Sequence, residues 1–172
     1  MTVSEPHATR PRRWIIALGS NVADPSAALD LAWQACVAAL DLDAPQLSAL
    51  HHTAPAEQAS GPLFVNAVGV GYSPRDPQQG LADLHAIESA FGRDRPREGF
   101  HGSRPLDLDL IAVDGVELIA APLQLPHPRW HLRPFVVLPL AEVAPDLLDP
   151  HGRTAADLAR AMSTAQGLVP LP

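Results

Sequence analysis

Apolar and polar positions recur along this chain with two different periods, and the switches between them mark its elements. Trp14 to Leu18 is a short apolar run halted by Gly19-Ser20-Asn21, which predicts a buried first strand opening into a loop. Asp24-Pro25 then offers an N-cap followed by a proline at the first helical position. Leu29, Ala32, Trp33, Cys36, Val37 and Leu40 follow at helical spacing, so a helix from about 25 to 40 with one apolar stripe is expected. Residues 46–52 and 63–72 alternate as strands. In the second, Leu63, Val65 and Ala67 take one face and Phe64, Asn66 and Val68 the other. Between them Thr53 to Pro62, rich in Pro, Ala, Gly and Ser, reads as a working loop.

Asp76-Pro77-Gln78-Gln79 repeats the helix-start chemistry, with Gln79 placed as in a capping box. Leu81, Leu84, Ile87 and Phe91 supply an apolar face, Gly92 a stop, and Glu88 reads by itself as part of a solvated face. Residues 93–104 have no periodicity and read as a loop. The next strand runs to Val113, where Asp114-Gly115 predicts a two-residue hairpin into Val116 to Ile119. A second loop, Pro122 to Pro134, precedes an apolar segment from Phe135 to Leu140 that contains Pro139, and Thr154 to Asp157 resembles a capping box opening a last helix near 155–163. The order strand, helix, strand, strand, helix, strand predicts a ferredoxin-like α+β fold, with an antiparallel sheet and helices on one face plus an appended hairpin and C-terminal helices.

Composition narrows the function. With 172 residues the chain is expected to form a single domain over 14–172 behind a flexible tail of residues 1–13. A net charge of -7 argues against nucleic-acid or anionic-membrane binding, so no nucleic acid and no membrane are expected; with no apolar stretch of signal or membrane-span length, a cytoplasmic setting is expected, and a monomer. All twelve basic residues are Arg. The absence of Lys excludes a Walker A loop and leaves Arg and His to handle phosphates. Cys36, the single cysteine, lies on the apolar stripe and reads as a core thiol.

Chemistry concentrates at Arg104-Pro-Leu-Asp107-Leu-Asp109-Leu110. In an extended strand Asp107 and Asp109 project from one face about 7 Å apart, while Leu106, Leu108 and Leu110 project from the other. An isolated pair of this kind is an ordinary solvated edge. The Arg93, Arg95, Arg97 and Arg104 set just before it changes the picture, because carboxylates holding Mg²⁺ beside several guanidinium groups suit a polyphosphate. His127, between Pro126 and Pro128, and Arg133 add cationic or hydrogen-bonding groups downstream. Phe64 with Asn66 could stack on a flat heterocycle and read its edge, although alone they read as a core ring and a strand-end amide.

Four blocks, Ala17-Leu18-Gly19-Ser20-Asn21, Thr53 through Phe64-Val65-Asn66-Ala67-Val68, Gly92-Arg93-Asp94-Arg95 through Asp109-Leu110, and Pro126-His127-Pro128-Arg129 through Leu140, resemble the 6-hydroxymethyl-7,8-dihydropterin pyrophosphokinases of folate biosynthesis. The resemblance implies a ferredoxin-like fold and Mg²⁺-dependent transfer of pyrophosphate from ATP, the co-substrate, to the pterin hydroxymethyl group. It makes Asp107 and Asp109 ligands of two Mg²⁺ ions and, with Arg93 and Arg104, the catalytic set. ATP-binding positions would be Glu88, Arg93, Arg95, Arg104, Leu110, His127 and Arg133. Pterin-binding positions would be Thr53, Pro55, Phe64, Asn66 and Phe135. The chain departs from the family at Phe100-His101, where a Trp is common, and at Ala54, where a Pro is usual. The rival reading is a non-catalytic pterin- or nucleotide-binding module of the same fold.

Overall fold

Strand β1 (Arg12–Ser20) runs through the middle of the molecule, and its alternation decides how everything else packs. Trp14, Ile16 and Leu18 enter one core, Ile15 and Ala17 a second core on the opposite face of the sheet. The structure, a computed structural model, describes residues 10–53, 64–93 and 105–166. Because β1 begins at Arg12, Arg12 and Arg13 belong to the sheet rather than to the expected tail, and Arg13 pairs with Asp114 and Asp146.

Helix α1 (Pro25–Leu40) starts as the sequence predicts, with the Asp24 carboxylate accepting from the Ala27 N–H. Helix α2 (Pro77–Ala90) starts the same way, Asp76 accepting from Gln78 and Gln79. Gln79 does not complete a capping box: its side-chain amide donates instead to Asp83. Both helices pack on the face of Trp14 and Ile16.

The predicted strand at 46–52 is split into β2 (Asp43–Leu47) and β3 (His51–Thr53), and both pair antiparallel with β4 (Phe64–Ser73). The edge strand is interrupted at Ser48, whose N–H donates to the Val68 carbonyl while its hydroxyl accepts from the Val68 N–H. A side chain thus replaces a backbone acceptor, and the Val68 donor stays satisfied. On its other side β1 pairs antiparallel with β5 (Asp107–Val113). The order across the sheet is therefore β5, β1, β4, then β2 and β3 sharing the far edge, which is the ferredoxin-like arrangement.

Strand β5 carries a bulge. Ile15 faces Ala112 and Ile16 faces Leu110, so Ile111 is an extra residue, and Ile111 and Ala112 both enter the second core. The predicted hairpin after Asp114-Gly115 is corrected: the turn forms, with Gly115 at φ 70°, but β6 (Leu118–Ala120) pairs with β7 (Leu123–Leu125) instead of β5. A 3-10 turn (Trp130–Leu132) leads into α3 (Pro134–Val143), followed by α4 (Ala155–Gln166). Val136, Val137, Leu140, Ala155 and Leu158 close the second core, so α3 and α4 cover the face opposite α1 and α2. Among the described residues no helix is long and apolar enough to cross a membrane.

Candidate active site

The register of three neighbouring strands sets a row of functional groups side by side. Gly19 of β1 faces Asn66 of β4 on one side and Asp107 of β5 on the other, while Ala17 faces Val68 and Asp109. Paired residues share a face, so Asn66, Asp107 and Asp109 all look toward α3. A pocket opens there, lined by Ala17, Gly19, Asn66, Asp107, Asp109 and Phe135 among others. Gly19 keeps it open, since a Cβ at that position would come within 2.9 Å of the Asn66 Oδ1. The sequence reading took Gly19 as the start of a loop; β1 instead runs on to Ser20, and Gly19 marks a close approach within the strand.

Each carboxylate of β5 has its own guanidinium. Arg93 Nη1 reaches both Asp107 and Glu88 and also donates to the Leu106 carbonyl. Arg133 Nη1 lies 3.1 Å from Asp109 Oδ2, and its guanidinium sits 5.8 Å from the centre of the Phe135 ring. Ser20 Oγ donates to the Pro105 carbonyl at 2.7 Å and fixes where β5 begins.

Glu88 overturns the solvated-face reading: it is fully buried, accepting from Arg93 and, at 2.8 Å, from the Leu108 N–H. It stands behind Asp107. The Leu110 side chain lies where the alternation of Asp107-Leu108-Asp109-Leu110 predicts. Alternation sends it to the α1–α2 core, 3% exposed, away from the face of Asp107 and Asp109.

His127 is held by its backbone, its N–H donating to the Ile111 carbonyl at 2.7 Å. Its Nδ1 accepts from the Arg129 N–H at 3.2 Å, which leaves the proton on Nε2 in the neutral ring. Burial pushes this imidazole below its ordinary pKa; the Asp109 carboxylate opposes that shift, and Arg133 and Arg129 reinforce it. Phe64 begins β4 opposite Thr53, on the same face as Asn66 and half-buried. Phe135 occupies the first turn of α3 at 36% exposure. Pro55, Arg95, Arg104 and Phe100-His101 lie outside the described residues.

Hard carboxylate oxygens on one face, at the mouth of a pocket, are the donor chemistry that Mg²⁺ prefers. Among the described residues no group of three or more His, Cys, Asp or Glu could enclose an ion alone. The donor set fits a cation that shares its shell with a substrate's oxygens.

A ferredoxin-like sheet whose edge strand β5 sets two carboxylates, each with a guanidinium partner, beside a pocket defines a small α+β protein with a charged site on one sheet face. Residues 15–145 match the model of the 7,8-dihydro-6-hydroxymethylpterin-pyrophosphokinase family. The chain belongs to that family. A Pseudomonas aeruginosa relative, named 2-amino-4-hydroxy-6-hydroxymethyldihydropteridine pyrophosphokinase, is 36% identical over 148 residues, covering 86% of this chain and 90% of the relative. A Synechocystis protein of the same name is 48% identical over 83 residues, 48% of this chain and 42% of that protein. In three dimensions the chain resembles wild-type Plasmodium falciparum HPPK-DHPS, solved with pteroate, at a TM-score of 0.67 and 13% identity. That match covers 97% of this chain but only 45% of the Plasmodium chain, and it speaks for the fold.

Proposed function

We propose that this chain transfers the pyrophosphoryl group of ATP to the hydroxymethyl oxygen of 6-hydroxymethyl-7,8-dihydropterin, releasing AMP and the pterin diphosphate. The observation that carries the reading is the shared pocket: Asn66 and Phe135 stand beside the Asp107–Asp109 pair within the segment that matches the family. A flat bicyclic ring enters between Phe64 and Phe135, with Asn66 and the backbone of Thr53 and Pro55 meeting its hydrogen-bonding edge. Two Mg²⁺ ions, held by Asp107 and Asp109, would neutralise the triphosphate and polarise the phosphoryl group under attack.

The protein's own groups position the reactants and offset charge. Arg133 and the Nε2–H of His127 donate to phosphate oxygens, together with Arg95 and Arg104. Arg93, fixed by Glu88, holds Asp107 in place and adds positive charge beneath it. The hydroxymethyl oxygen attacks the β-phosphorus in line, its proton passing to solvent, as the bond from that phosphorus to the oxygen bridging to the α-phosphate breaks and AMP leaves. The reading includes action as a monomer in the cytoplasm.

The test is AMP release from ATP with and without the hydroxymethyl pterin. Strict pterin dependence is expected, with Asp107→Ala and Asp109→Ala each losing at least about a hundredfold in turnover, roughly 3 kcal/mol. Near-normal AMP formation by both variants at saturating Mg²⁺ and pterin would overturn the site, and AMP release independent of pterin would overturn the reaction.

A further inference from the structure

Glu142, near the end of α3, reaches across to the edge of the sheet and uses both of its carboxylate oxygens there. Oε1 lies 2.6 Å from His51 Nε2, and Oε2 accepts from the Ala49 N–H at 2.8 Å. These partners lie more than ninety residues away in sequence, at the point where the edge strand is interrupted. Ser48 satisfies the first residue of the break, and Glu142 satisfies the N–H of the next. Strand β3 then resumes for only three residues, with His51 opposite Asn66 and Thr53 opposite Phe64. The edge strand behind the proposed pterin pocket is therefore short, and among the described residues its far side has no strand partner in the sheet.

Phe135 and Glu142 are seven residues apart on one helix, so they lie two turns apart on the same face, about 10 Å from each other. One end of that face lines the pocket and the other grips β3. We propose that Glu142 and His51 are positioning residues that fix β3 against α3, and with it the spacing between the Phe64–Asn66 side and the Phe135 side of the pterin pocket. This rests on the pyrophosphokinase reading above. The pair touches neither the carboxylates of β5 nor their guanidinium partners, so it acts on pterin binding and leaves ATP binding alone.

The experiment measures KM for the hydroxymethyl pterin and for ATP separately, with the melting temperature, in Glu142→Ala, Glu142→Gln and His51→Phe. Removing a charge-assisted hydrogen-bonding group is expected to raise the pterin KM about tenfold in Glu142→Ala, with ATP KM changed by less than about twofold. Glu142→Gln is expected to stay near wild type, because an amide accepts from the Ala49 N–H and donates to the imidazole. His51→Phe is expected to give a smaller rise, about threefold, confined to pterin. An unchanged pterin KM in folded Glu142→Ala, or both KM values rising together with a fall in melting temperature, would sink the clamp while leaving the reaction intact. If Glu142→Ala does not fold, His51→Phe decides on the same criteria. A wild-type chain without pterin-dependent AMP release overturns the functional reading, and the clamp with it.

Discussion

At the scale of single residues, the buried carboxylate of Glu88 shapes the site without facing its pocket. It accepts from Arg93 and from the Leu108 N–H, and Arg93 in turn holds Asp107. The Arg93 side chain is only 7% exposed, so removing Glu88 takes one of its carboxylate partners and leaves the Leu108 N–H without its side-chain acceptor. Glu88→Ala is expected to cost about 3–5 kcal/mol, read from urea unfolding. The position was legible in the sequence even though the reading missed it. Leu81, Leu84 and residue 88 follow at intervals of three and four, so residue 88 lies on the apolar stripe; the charge of the side chain hid that. Burial, and then the nearby Glu88 charge, push the Cys36 thiol up to about 12, as suits the core thiol its spacing indicated.

At the scale of elements, helix starts were readable because a capping side chain and a proline act locally, and α1 begins and ends at the residues expected. The face assignment of Asp107 and Asp109 was readable for the same reason: strand alternation is a local rule. The bulge at Ile111 was not. Ile111, Ala112 and Val113 are all apolar, so either alternation fits them, and only pairing with β1 decides. The hairpin after Gly115 failed likewise, since turn chemistry says where a chain reverses and not which strand it then joins. Helix-to-sheet fit is also decided at this scale. A Cβ on Gly69 of β4 would lie 2.4 Å from the Trp33 ring of α1. Gly69→Ala is expected to destabilise by about 1–3 kcal/mol through overpacking, measured by thermal unfolding, with both KM values unchanged.

At the scale of the whole molecule, a chain of net charge -7 gathers its cations locally; the sequence points to the Arg93 and Arg133 segments but not to which carboxylate each one meets. Arg93 comes from the end of α2 and Arg133 from the start of α3, and only the folded sheet brings them to neighbouring carboxylates. The connection between α3 and α4 is braced by Asp149. Burial would raise its carboxyl, but the Arg153 and His151 N–H groups and the Arg153 guanidinium hold it down at about 2. A depressed folded value means the contribution is complete above the ordinary 3.8 and fades as pH falls toward about 2. Asp149→Asn is therefore expected to be less stable than wild type near neutrality, with the two urea midpoints converging across that acid window. The sheet faces two separate cores, and α3 and α4 close only the second. Native-state hydrogen exchange is expected to show the amides of α3 and α4 exchanging through a partial opening that leaves β1 and β5 protected. Because Phe135 and Arg133 ride on that opening layer, gentle warming would silence the enzyme while its central strands are still folded, and cooling would restore it without refolding the rest.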